Sequence, residues 1–181
     1  MRIPTVRVAS VAAAFLLLAA ILGSSAVMAQ DGSPPTIDIT GQDYAFVGLP
    51  SSVPVGTSFR FTNGGDEFHE MMIVRRNEGT TEPFEELIAL PDDQLGDKLT
   101  LVGGLFAPIG QTSPAQLTLD EEGDYIVVCF VSQGTTSSFA SSGEGDAPPH
   151  AALGMVGEFT VGGPDTPVGP LSTPIPAAES E

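Results

Sequence analysis

Cysteine occurs once among the 181 residues and histidine twice. A lone cysteine cannot close an intrachain disulfide, and a free thiol in an oxidising compartment is a liability unless it is buried or bound. Cations are scarce too. Arg2 and Arg7 stand near the start, and from Gln30 onward 23 acidic side chains face only Arg60, Arg75, Arg76 and Lys98, leaving a formal charge of −19. Nucleic acid and anionic membrane surfaces are therefore not expected as partners. The acidity serves solubility or steers the chain toward a basic partner. The chain also has no glycine-rich phosphate loop, hydrolase elbow, nucleotide fingerprint or internal repeat, which removes the common enzyme signatures.

The first residues read as an export signal. Arg2 and Arg7 form a basic leader, Val8 to Leu22 is almost wholly apolar, and Val27-Met28-Ala29 is a small-x-Ala cleavage signal. Residues 1–29 are expected to be a signal peptide, placing the mature chain in the periplasm or outside the cell. The apolar run falls short of the about 20 residues a spanning helix needs, so no membrane span is expected after cleavage. A retained anchor is the alternative. No cysteine follows the apolar run directly, which excludes a lipoprotein. Residues 30–162 suffice for one domain with a real core. Residues 163–181 hold five prolines and little apolar content, and a disordered tail is expected there.

Within the domain, alternation marks strands. Ile37 and Ile39 alternate with Asp38 and Thr40, and Tyr44 to Val47 resumes the pattern. Phe59 and Phe61 alternate before Asn63-Gly64-Gly65, and Phe68 to Val74 sets His69, Met71 and Ile73 on one face. Residues 78–104 look like a helical insertion. Thr81 can cap a short helix that has Pro83 in its first turn and whose Phe84, Leu87 and Ile88 share a face, and Asp92 to Leu101 offers a second helical turn. Such an insertion would cover an open end or edge of a sheet. Gly110 to Leu119 supplies a turn and a strand. Gly123 to Cys129 is apolar on both faces and should lie at the centre of its sheet.

The chemistry collects toward the end of the domain. Cys129 closes the strand Gly123-Asp-Tyr-Ile-Val-Val-Cys, His150 stands in the turn before the next strand, and Met155 begins that strand. A thiolate, an imidazole and a thioether form a soft donor set that suits copper better than magnesium or calcium. His69 would complete it. Burial of a free cysteine, and a histidine hydrogen-bonded at a strand's rim, are the plain alternatives.

These residues resemble the cupredoxins, the plastocyanin-like blue copper proteins. The match lies in G-x-Y-x-x-x-C at Gly123, Tyr125 and Cys129, in H-x-x-x-x-M-V-G at His150, Met155, Val156 and Gly157, and in F-x-F-x-N before His69. The resemblance implies an all-β, Greek-key antiparallel β-sandwich of about seven or eight strands. It implies copper held by His69, Cys129, His150 and Met155. It also implies one-electron transfer to a redox partner protein, with the edge of His150 reaching solvent through an apolar patch of Pro148, Pro149, Ala151, Ala152 and Leu153. A saturated single-copper site leaves no position for a substrate, so no enzymatic activity is expected. A monomer is expected. Copper carriage or storage would use the same donors, and a metal-free structural or interaction module would need none of them. Three departures from the family pattern stand out. Twenty residues separate Cys129 from His150, Glu70 replaces the usual asparagine that fixes the cysteine loop, and Phe68 replaces a proline. The loop, Ser132 to Ala147, is expected to be mobile.

Overall fold

The computed structural model describes residues 33–88, 90–137 and 147–172. The expected export signal at 1–29, the loop tip at 138–146 and the chain end at 173–181 lie outside them. The described residues form nine strands: β1 Thr36–Gln42, β2 Ala45–Val47, β3 Ser52–Pro54, β4 Ser58–Asn63, β5 His69–Arg76, β6 Leu99–Ala107, β7 Leu117–Thr118, β8 Gly123–Val128 and β9 Val156–Gly162. Two helices, α1 Phe84–Ile88 and α2 Asp92–Lys98, interrupt the series between β5 and β6.

The strands make two sheets, ordered β2-β1-β4-β7 and β3-β9-β8-β5-β6. They are the expected β-sandwich, although two of the pairings, β1 with β4 and β3 with β9, run parallel. Period-two alternation explains how the core forms. Ile39, Phe59 and Phe61 from one sheet meet Met71, Ile73, Tyr125, Val127, Phe159 and Val161 from the other, and all are buried. Tyr125 stacks on Phe159 with ring centroids 5.5 Å apart, and its hydroxyl donates to the Glu121 carbonyl at 2.6 Å. A fully buried side chain of this kind contributes about 1.5–3 kcal/mol.

β8 lies third of five in its sheet, as its two apolar faces require. Its second face, through Ile126 and Val128, packs on Phe84 and Leu87 of α1. The insertion therefore covers a sheet face and not an end or edge. It is also shorter than expected. Residues 99–104 belong to β6, which pairs with β5 along its whole length, and Ile88 is exposed. Pro83 stands just before α1 and not in its first turn, its carbonyl accepting from the Glu86 and Leu87 amides in place of a Thr81 cap, and the early carboxylates Glu85 and Glu86 suit the positive end of the helix.

The first part of the expected tail is not free chain. Residues 163–172 follow β3: the Ser51 amide donates to the Pro170 carbonyl at 2.7 Å, Gly169 to Ser52 at 2.9 Å, and Ser172 to Leu49 at 2.7 Å. Low apolar content suggested disorder, yet a proline-rich segment can bond a strand through its carbonyls and its few remaining amides.

Candidate metal centre

The topology brings three chain segments to one end of the sandwich. His69 is the first residue of β5, and Cys129 stands one residue beyond β8. His150 opens a short 3-10 turn, His150–Leu153, just before β9. That turn ends at Gly154 in the left-handed region, φ 104°, where glycine carries no steric penalty. Backbone bonds lock the segments together. The His150 amide donates to the Val131 carbonyl at 2.8 Å, Ala151 to Cys129 at 2.8 Å, Met155 to His150 at 3.0 Å, and Cys129 to Met155 at 3.2 Å.

The result is a compact donor cluster. The ligand atoms of His69, Cys129 and His150 all lie within 4.8 Å of one another, and all three residues are buried. The two Nδ1 atoms are 3.1 Å apart, and Cys129 Sγ is 3.4 Å from His150 Nδ1. Met155, also buried, joins the same core, with its methyl group packed toward Gly41, where an added Cβ would come within 3.1 Å of it.

On the far side of each ring stands a carboxylate. His69 Nε2 bonds Asp43 Oδ1 at 2.6 Å and His150 Nε2 bonds Glu67 Oε2 at 3.0 Å. A carboxylate accepts only, so each ring donates to it from Nε2 and turns Nδ1 inward. In neutral rings the two inward Nδ1 lone pairs would face each other at 3.1 Å, an arrangement that a bound cation relieves. Imidazole nitrogen and thiolate sulfur bind zinc at about 2.0–2.1 and 2.3 Å, so bonds of that order allow donors on one ion to stand at most about 4.2 to 4.4 Å apart. The Nδ1···Nδ1 separation and the Cys129 Sγ···His150 Nδ1 separation satisfy that limit. The residues present fit a soft metal ion.

Burial sets the electrostatics. Enclosure pushes the Cys129 thiol up to about 12, against a smaller opposing effect of the Glu70 and Val131 amides on the sulfur. Metal binding must therefore displace a proton from it. Burial also lowers the His150 imidazole, with His69 beside it acting the same way against Glu67. Burial works to raise Asp43 and Glu67, but their hydrogen bonds prevail. The Asp66 amide and the His69 ring hold Asp43 below the usual carboxylate range, while the Tyr44 hydroxyl, the Gly134 amide and the His150 ring do so for Glu67.

Two expectations at the site need correction. His150 does not reach solvent. It is 0% exposed, with Tyr44 tilted over it at a centroid distance of 4.7 Å and Glu67 on its outer nitrogen. Pro148, Pro149 and Ala152 are exposed beside it, but the ring edge is sealed. The base of the long loop is also fixed. Ser132 bridges Pro149, Gln133 donates to Pro148 at 2.9 Å, and the Phe68 amide donates to Thr135 at 2.7 Å. Glu70 accepts the Phe130 amide at 3.0 Å and so fastens the cysteine loop.

Asp43 and Glu67 were not singled out from sequence, Tyr44 was read only as a strand residue, and Asn63 only as the end of its strand and motif. Asn63 is buried and ties the Glu67 and Ala107 carbonyls together through Nδ2, at 2.8 and 3.0 Å. Its place at the end of the Phe59-Phe61 strand, ahead of two glycines, was a usable sign of a built turn. Asp43 and Glu67 gave no such sign, because each meets its histidine only through the fold.

No protein-family model and no curated protein matches the chain. Among solved structures, a dithionite-reduced auracyanin from the photosynthetic bacterium Roseiflexus castenholzii is 21% identical, with 72% of this chain and 98% of that one covered and a TM-score of 0.43. Auracyanin A, a "blue" copper protein from Chloroflexus aurantiacus, is 21% identical over 71% of this chain and 99% of its own, with a TM-score of 0.42. A chain of a heme-copper terminal oxidase dimer is 17% identical, covering 72% and 66%, with a TM-score of 0.36. Likeness at this level is loose, and the case for a metal centre rests on this chain's own side chains.

Proposed function

We propose that this chain is an exported copper protein that carries single electrons, with His69, Cys129 and His150 as the main ligands and Met155 as a weaker fourth. One observation carries the reading: a buried thiol and two inward Nδ1 atoms converge at one end of a β-sandwich, with the outer nitrogens already committed to carboxylates. Bound copper would supply a Cu(I)/Cu(II) couple, which two imidazoles, a thiolate and a thioether accommodate with little rearrangement. The protein's part is to present the donors, surrender the Cys129 proton, and exclude water with Tyr44 and the loop base. No open position for a substrate is called for, so the role is that of a carrier and not an enzyme.

Export follows from the leader at residues 1–29, and among the described residues no helix is long and apolar enough to cross a membrane. The partner would be a basic redox protein, since Arg60, Arg75, Arg76 and Lys98 are each paired with a carboxylate and the remaining surface charge is acidic. The chain acts as a monomer in this reading.

The test is spectroscopic. Cu(II) added to the mature protein should give an intense visible band, and Cys129→Ser should abolish it while leaving the circular dichroism of the fold. A colourless copper complex, or a band that survives the substitution, refutes the site. Full burial of both imidazoles favours a second reading, copper carriage without a redox partner. Slow electron self-exchange in a coloured protein would select it.

A further inference from the structure

Both imidazoles meet a carboxylate, and each carboxylate is held by something other than its histidine. Asp43 accepts the Asp66 amide on Oδ2 at 2.9 Å while Oδ1 faces His69. Glu67 accepts the Tyr44 hydroxyl on Oε1 at 2.8 Å, and the Gly134 amide and His150 share Oε2. The side chains are only 27% and 17% exposed, so water screens them weakly. Carboxylates anchored in this way are preorganised acceptors. They do not depend on the histidines for their position, and the histidines depend on them for theirs.

We propose that Asp43 and Glu67 are positioning residues that fix both histidines as Nε2–H tautomers and bias the centre toward Cu(II). The inference rests on the copper reading above and deepens it. A ring that donates to a carboxylate becomes a more basic ligand at its other nitrogen, and substitution of such partners typically costs about 10–100-fold in metal affinity. Two carboxylates also place negative charge just behind the donors, in surroundings where charge interactions are stronger than in water. Both effects favour the more highly charged oxidation state. Glu67 has a further task, because its bond to Gly134 joins the base of the long loop to His150.

Asp43→Asn and Glu67→Gln keep an oxygen acceptor but remove the charge. In each variant the Cu(II) affinity should fall about tenfold relative to that for Cu(I), which raises the reduction potential by about 59 mV. Asp43→Ala and Glu67→Ala, which lose the acceptor too, should shift further. The zinc-loaded protein offers a readout free of redox activity: its 15N imidazole spectra should show the proton on Nε2 of both rings in the wild type, with ring order lost in the alanine variants. A role confined to holding the fold would weaken both oxidation states equally and leave the potential unchanged. That result in both amide variants, or an Nδ1 proton on either ring of the zinc form, overturns the proposal. A wild type that binds no copper overturns the carrier reading as well, and it shows itself before any substitution is made.

Discussion

Replacing Met155 separates two roles of one side chain. Its residue is 0% exposed, it shares a core with Phe61, Val127 and Cys129, and its methyl group packs toward Gly41. Met155→Ala removes everything beyond Cβ from that interior and should cost about 2–5 kcal/mol. At about 2–4 °C per kcal/mol for a domain of this size, Tm should fall by about 4–20 °C. Met155→Leu keeps the volume and should cost less than about 1.5 kcal/mol, or at most about 6 °C. Thermal unfolding of the metal-free proteins by circular dichroism measures this packing component alone. Copper titration and potentiometry then isolate the thioether. The leucine variant should keep its visible band, because His69, Cys129 and His150 remain. Its potential should rise, because Cu(II) loses more than Cu(I) when a donor is replaced by hydrocarbon. If the potential and the band are both unchanged in Met155→Leu, Met155 is core and nothing more. If the leucine change destabilises the metal-free fold as much as alanine does, the packing argument fails.

Deleting residues 138–146 should preserve copper affinity, since Ser132, Gln133 and Thr135 on one arm and Pro148 and Pro149 on the other hold the loop base without them. Extending the cut back to Thr135 removes the acceptor of the Phe68 amide and should weaken binding; titration calorimetry compares the two, and loss of copper by the shorter deletion in a folded protein would make the tip part of the site. The Cys129 thiol gives a pH signature in metal-free protein. Because burial moves it from 9.0 to about 12, its contribution to stability is complete below about pH 9 and is lost as pH rises toward about 12. Urea unfolding should show the wild type's stability relative to Cys129→Ser declining as pH rises from about 9 toward about 12, and a constant difference would refute the shift.

Strands with clean alternation were legible in the sequence. Phe59 and Phe61 announced β4, and the doubly apolar run at Tyr125 to Val128 announced a central strand. β6 was hidden for a physical reason. Its pairing with β5 skips Val102, so Ile73 faces Gly103 while Val74 faces Leu101, and a bulge of that kind reverses which side chains point inward. Leu101 is consequently exposed and Leu105 buried, a pattern that period two does not produce across a single strand. The donors were legible because cysteine and histidine are so rare here. Their carboxylate partners were not, because Asp43 lies 26 residues from His69 and Glu67 lies 83 from His150. One acidic residue in a turn looks like another until the fold closes.

The segment that follows β9 has a bearing on solubility. An outermost strand offers a row of unmet amides and carbonyls to which a foreign strand can add. On the β3 side that row is met by the chain itself, through Pro170, Gly169 and Ser172, and Pro167 and Pro170 have no amide with which to extend the pairing to a further molecule. On the opposite margin, β6, the irregularity at Val102 breaks the flat register that a newcomer would need. The five-stranded sheet is thus terminated at both margins by different means, the chain's own tail segment at one and a break in register at the other.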